Sequence, residues 1–280
     1  VTMSVASAAS GPLLQMGEDF ADLPGPEGPI FFSGNGERVA ITVCTEPANA
    51  QGGCSSSSTS LAVRVYEWDC STSAWNKLGA DLTEADSPSS SFGRNAKLSH
   101  NGTRLAISSE FYNNGQGRVY TYEWIPSSSS WMPLGDTGGM LGETGFERAG
   151  ESIDISGDGN RVAIVSPSSN ANGANSGAVR VYELKLGQWT MIGQTGDLYG
   201  PAANNWGGGV SLSYDGSYVA MGSHYNSNNN GEKAGAVRVF SYDPVVLSGG
   251  YWGQMGASIE GPGPSAKAGM REAVSLSSDG

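Results

Sequence analysis

Basic residues are scarce. Over 280 residues, 15 Lys and Arg stand against 27 Asp and Glu, for a formal net charge of −12. Phosphate backbones are gripped by clustered Lys and Arg, so this balance argues against nucleic acid as a partner, and against anionic membrane surfaces for the same reason. No apolar run approaches the roughly 20 residues of a membrane-spanning helix. Residues 1–12 (VTMSVASAASGP) have neither the basic start nor the apolar core of a signal peptide and read as a flexible lead-in; a first residue of Val points to sequence upstream. Histidine occurs twice, His100 and His224. No Ser, His and Asp set stands in recognisable context, no Cys and His cluster has metal-ligand spacing, and no Gly-rich loop opens a helix to hold phosphate. The expectation is no cofactor, no metal and no catalytic residue.

What the chain does have is glycine, 42 of 280, with many Ser and Asn. That mixture describes short strands and frequent turns. Between Gly208 and Gly256 these form a unit of four strands. VSLS ends in the turn dipeptide Asp215-Gly216, YVAMGS returns, AVRVF follows a loop rich in Asn and Gly, and YWGQMG closes the unit on Trp252. The turn recurs at Asn35-Gly36, Asn101-Gly102, Asp158-Gly159 and Asp279-Gly280, at intervals of 66, 57, 57 and 64 residues. The third strand recurs from Val63, Val119, Val179 and Val237. The fourth recurs around Trp75, Trp131, Trp189 and Trp252, each followed by Gly79, Gly135, Gly193 or Gly256. Three markers in constant order define a tandem array.

An all-β chain with four antiparallel strands per 57–66 residues is expected to be a β-propeller. The expected divisions are the lead-in 1–12, a donated closing strand 13–17, blades 18–79, 80–135, 136–193 and 194–256, and the start of a fifth blade at 257–280. Four blades and part of a fifth imply a piece of a ring of six to eight.

The stretch FGRNAKLSHNGTRLAISSEFYNNGQGRVYTYEW resembles the FG-GAP repeats of integrin-like propellers. It is still more similar to the SxDGxxVAIG and GxVRVYEW repeats of predicted secreted proteins in marine algae and bacteria. The resemblance implies a propeller and leaves the activity open. Integrin-like repeats often carry a calcium loop between the first two strands. Here that connection is a two-residue turn such as Ser213-Tyr214-Asp215-Gly216, too short for six or more oxygen ligands, so Asp158, Asp215 and Asp279 are read as structural.

Strand alternation puts the loops between strands two and three on the same face as the inter-blade loops. That face carries the long segments 45–61, 109–117, 167–177 and 224–235, with inter-blade loops 80–93, 136–149, 194–207 and 257–270, and is the expected binding face. Asp81, Asp136, Glu143, Asp197 and Glu260 come from its inter-blade loops and would bind a cation or sugar if they converge; solvated acids are the plainer alternative. Tyr112, Tyr199, Tyr225 and Trp206 offer rings for stacking or for packing between blades, and His224 offers a base beside them. Arg64, Arg180 and Arg238, repeated in the third strand, and the four Trp are read as packing.

All three cysteines lie in the first blade. Cys44 and Cys54 flank part of one loop and are expected to pair, whereas Cys70 lies beyond the far end of the third strand, about 20 Å away at strand rise. A clamped loop suits an oxidising, extracellular setting, and the sequon Asn101-Gly102-Thr103 is compatible with a glycan. The expected function is a non-catalytic secreted or cell-surface module that binds a protein or glycan, or acts as an adhesive or structural part of an extracellular assembly, with self-association possible. The alternative is a carbohydrate-active enzyme, a glycoside hydrolase or lyase, using the loop carboxylates.

Overall fold

The computed structural model describes residues 29–45, 61–84, 91–136, 138–200, 207–245, 249–271 and 273–280. The expected lead-in and closing strand at 13–17, together with Cys54 and Trp206, lie outside them.

Four antiparallel sheets follow one another along the chain. The first holds β1 (Ile30–Phe32), β2 (Arg38–Cys44), β3 (Leu61–Asp69), β4 (Ala74–Lys77) and β5 (Leu82–Thr83). The second holds β6 (Ala96–Leu98), β7 (Arg104–Ser109), β8 (Arg118–Ile125), β9 (Ser130–Pro133) and β10 (Met140–Leu141). The third holds β11 (Ile153–Ile155), β12 (Arg161–Ser166), β13 (Ala178–Lys185) and β14 (Gln188–Tyr199). The fourth holds β15 (Val210–Leu212), β16 (Tyr218–Ser223), β17 (Ala236–Asp243), β18 (Tyr251–Gln254) and β19 (Ile259–Glu260). The inner strands β1, β6, β11 and β15 neighbour one another, and the sheets radiate from them as the blades of a β-propeller.

One boundary differs from expectation. The outer edge continues past the glycine that was expected to close each blade: β5, β10 and β19 pair again with β3, β8 and β17, and β14 does so in one strand with a bulge between Arg180 and Val181. Part of each expected inter-blade loop is therefore sheet. The third strand is long enough to present unpaired edge beyond the Trp segment, and the chain covers it.

The sequence markers become contacts between blades. Hydrophobic clusters lie between neighbouring sheets, with Val63, Phe92, Leu105 and Trp131 joining the first two and Val165, Val181, Val219 and Trp252 joining the last two. Both faces of the second strands, β2, β7 and β12, are covered, which is why VAI-type runs show little alternation. Each fourth-strand indole reaches back to the preceding blade. Trp131 Nε1 donates to the Leu78 carbonyl at 3.0 Å, Trp189 Nε1 to Thr121 Oγ1 at 2.8 Å, and Trp252 Nε1 to the Ile192 carbonyl at 3.3 Å. The glycine of that preceding blade sits under the indole at positive φ, 80° for Gly79, 80° for Gly135 and 102° for Gly193.

On the hairpin-turn face a second clasp repeats. Arg38, Arg104 and Arg161 each pair with a glutamate of their own third strand (Glu67, Glu123 and Glu183) and donate across to the turn carbonyl of the next blade, at Gly102, Gly159 and Gly216. The turns themselves are held by side chains. Asp158 Oδ1 accepts from Asn160 N at 2.9 Å and Asp215 Oδ1 from Ser217 N at 2.8 Å, so these aspartates are structural as read.

Candidate functional site

The carboxylates singled out in the sequence do not converge. Asp81 accepts a forked pair of hydrogen bonds from Arg64 and an ion pair from Lys77 at 2.7 Å. Burial works against its charged form, but the Arg64 and Lys77 contacts outweigh it and hold the pKa below the ordinary value. Glu143 pairs with Arg180 at 3.3 Å. Asp136 and Glu260 are exposed on other sheets, Glu260 as the last residue of β19. Asp197 pairs its backbone with Arg180 in β14, and its side chain lies outside the described part. Third-strand arginines divide them: Arg64 holds Asp81 in the first sheet, and Arg180 of the third sheet meets Glu143 from the preceding connection and pairs through its backbone with Asp197.

Of the Arg series read as packing, Arg64 and Arg180 form ionic clasps. Arg180 is 2% exposed and meets Glu147, itself buried, at 2.9 Å. Arg238 donates to the Tyr199 carbonyl and lies over the Phe240 ring at 5.7 Å. Tyr199 thus serves through its backbone, while Tyr112 packs on Arg118 with 4.7 Å between guanidinium and ring.

A different set of residues gathers on the long-loop face, near the axis. Glu110, directly after β7, is fully buried, and Arg94 and Arg148 close on its two oxygens at 2.7 and 2.9 Å. Arg271 approaches the same carboxylate at 3.8 Å and Glu151 at 3.3 Å, and Arg148 meets Glu151 at 3.2 Å. These arginines come from three inter-blade connections that precede β6, β11 and residue 274. They arrive together because each connection leads into an innermost strand. Phe111 lies against both Arg94 and Arg148, at 5.5 and 5.1 Å from ring to guanidinium. The outer parts of the guanidiniums stay in solvent: the Arg94 side chain is 50% exposed and that of Arg271 33%. Phe146 stands beside the cluster 73% exposed.

His224 occupies on β16 the place that Glu110 has on β7. Its ring lies 4.2 Å from that of Tyr225, which also carries Lys267 at 5.7 Å. Burial, followed by the charges of Lys267 and Arg271, lowers its pKa, so the imidazole is neutral at pH 7. Its Nδ1 has no hydrogen-bond partner among the described residues. His224 and Tyr225 thus stand beside Lys267, with Arg271 close enough for its charge to act on the imidazole, while the arginine cluster gathers around Glu110. Single arginines in unlike loop contexts gave no spacing by which to find it.

Asn101 sits exposed in its turn, where Oδ1 accepts from Thr103 N at 3.0 Å and Thr103 Oγ1 at 2.8 Å. Cys70 is a free, exposed thiol. Cys44 is buried at the end of β2, and the expected pairing with Cys54 falls outside the described residues. No group of three or more metal-ligating side chains occurs among the described residues, and none of their helices is long and apolar enough to cross a membrane.

No family model matches the sequence, and no curated protein does. Solved structures are similar in fold. A complex titled KlAtg21 with the coiled coil of AgAtg16 matches with TM-score 0.53 at 11% identity, covering 82% of this chain and 57% of that one. TolB from Acinetobacter baumannii gives 0.45 at 16%, covering 86% and 46%, and the periplasmic gluconolactonase PpgL from Pseudomonas aeruginosa gives 0.48 at 13%, covering 82% and 56%. The chain thus spans about half the length of these proteins.

Proposed function

We propose that this chain is a non-catalytic, exported propeller that binds an acidic glycan of an extracellular assembly at the mouth of its long-loop face. The observation that carries the reading is the arginine cluster around Glu110. Arg94, Arg148 and Arg271 place three cations against the two carboxylates Glu110 and Glu151, within a chain whose net charge is −12. Glu110 orients the guanidiniums from below and leaves their outer N–H groups for a ligand carboxylate or sulfate, the planar pairing at which Arg excels. Exposed Phe146, with Phe111 and Tyr225, supplies flat apolar surface for a sugar ring. The exported setting is inferred from the expected Cys44–Cys54 clamp and the exposed sequon at Asn101. The enzymatic alternative needs two unencumbered carboxylates roughly 5–10 Å apart. The carboxylates at this mouth are tied to arginine, and of the loop acids Asp81 and Glu143 are paired with Arg64 and Arg180, so binding is the reading we put forward.

The test is a glycan array carrying uronate-containing, sulfated and neutral oligosaccharides, probed with the protein and with Arg94→Ser/Arg271→Ser. Binding restricted to the acidic members and lost in the double variant supports the reading. Binding to neutral members alone, or binding the variant retains, contradicts it.

A further inference from the structure

The inner strands enclose a cleft of ≈ 390 Å³ on the hairpin-turn side of the axis, separate from the arginine mouth. Lys97, Asp154 and Ser211 are the middle residues of β6, β11 and β15. In each of these strands the flanking residues turn into the blade packing, so the middle one turns toward the axis. Ser275 adds a hydroxyl from the next inner segment, docked by the bond from Leu276 N to Ser211 Oγ at 3.0 Å. His100 and Tyr214 close the floor, their rings edge to face at 5.4 Å. They fit because Gly34 and Gly157 stand beside them: a methyl on Gly157 would lie 2.2 Å from the Tyr214 ring, and one on Gly34 2.4 Å from His100 Nδ1.

We infer that this cleft binds a single neutral hexose-sized polyol, with two adjacent hydroxyls of the ligand bridging Lys97 and Asp154. Pockets for small ligands run from about 300 to 1,000 Å³, and this one falls at the small end, enough for one ring. The Asp154 carboxylate is already oriented. One oxygen accepts from Ile155 N at 3.0 Å and the other from Leu212 N at 2.8 Å, and Ser211 also bonds to the carboxylate, which leaves one lone pair for the cleft. Lys97 offers only donors and Asp154 accepts, so the group that satisfies both side by side is a hydroxyl, which gives and takes. Opposite charges on the two walls favour a ligand without net charge, since an ion would leave one of them unbalanced. Ser275 offers a further hydroxyl to the ring substituents, while Ser211, bonded to Leu276 N and to Asp154, holds the carboxylate in place.

The experiment is saturation-transfer difference NMR of the whole chain with D-glucose, D-galactose and D-mannose, repeated on Lys97→Met, Asp154→Asn and Arg94→Ser/Arg271→Ser, with the far-ultraviolet spectrum of each variant checked for folding. Saturation of at least one hexose, weakened roughly tenfold or more by Lys97→Met and by Asp154→Asn, and unchanged in the arginine double variant, is expected. The last arm separates this site from the mouth, so that failure of one reading is told from failure of the other. No saturation of any hexose, hexose binding that both cleft variants retain, or, in the Arg94→Ser/Arg271→Ser protein, tighter binding of D-glucuronate than of D-glucose would overturn the inference.

Discussion

Gly135 and Gly187 share a positive φ, 80° and 77°, yet their surroundings differ. A methyl at Gly135 would sit 2.4 Å from Trp189 Cδ1, whereas nothing lies within 4 Å of one at Gly187, in the turn between β13 and β14. Gly→Ala at either site forces a Cβ into the left-handed region, at a cost of roughly 1–2 kcal/mol. Only at Gly135 must it also displace the indole that locks the third blade to the second, an overpacking that adds about 1–3 kcal/mol. Gly135→Ala should therefore destabilise by about 2–5 kcal/mol and Gly187→Ala by no more than about 2. Gly193, with Trp252 Cδ1 at 2.6 Å, should follow Gly135. Gly79 meets Trp124 and Trp131 at 3.0 and 3.2 Å and should fall between. Urea unfolding followed by tryptophan fluorescence measures the series, and a fall of about 2–4 °C in Tm per kcal/mol gives an independent check. Equal losses for Gly135→Ala and Gly187→Ala would refute the account in which each of these glycines makes room for the next blade's indole.

Other outcomes follow from single contacts. Glu110→Gln leaves Arg94, Arg148 and Arg271 facing one another; breaking a buried pair costs about 3–5 kcal/mol, and the partial exposure of the guanidiniums reduces this to about 2, read as a lowered urea midpoint. Burial raises the Asp154 pKa, partly offset by Lys97 and by the bonds from Leu212, Ile155 and Ser211. Its contribution to stability is therefore present below the unfolded carboxyl pKa and lost as pH rises through the folded value. Asp154→Asn should remove that decline from the pH profile of stability, and an unchanged profile would refute it. Thiol titration of the denatured, unreduced protein should give one reactive group, Cys70, and three after reduction; three without reductant would remove the expected Cys44–Cys54 pair.

How much of this was legible depends on whether a residue's role repeats. Asp158 and Asp215, the Trp series and the glycine after each Trp recur because every blade solves the same turn and packing problem, so the sequence displayed them as a period. Gly117 shows the same logic: φ is 82° and an added Cβ would strike the Ala149 backbone at 2.3 Å, which explains a glycine before the third strand. The Arg38, Arg104 and Arg161 clasps also repeat. They were legible in principle, as an Arg two residues after three of the turn glycines, Gly36, Gly102 and Gly159, matched by a Glu in the third strand. The arginine mouth does not repeat. Arg94, Arg148 and Arg271 stand at unlike positions in connections of different length, and only the convergence of those connections on the axis brings them to Glu110. Asp81 and Glu143 misled for the complementary reason, since loop membership placed them on the right face but not at its centre. Lys97 and Asp154 alternate correctly for an inner strand, yet nothing local marks them as neighbours across the axis.

The most direct measurement is calorimetric titration of a tetrameric uronate oligosaccharide into the protein and into Arg94→Ser/Arg271→Ser, over a range of salt. Each charge-assisted hydrogen bond to guanidinium is worth roughly 1.5–3 kcal/mol, so the double variant should bind at least tenfold more weakly and show a shallower dependence of affinity on salt. Equal affinity and equal salt dependence in the two proteins would contradict a ligand site at the arginine mouth.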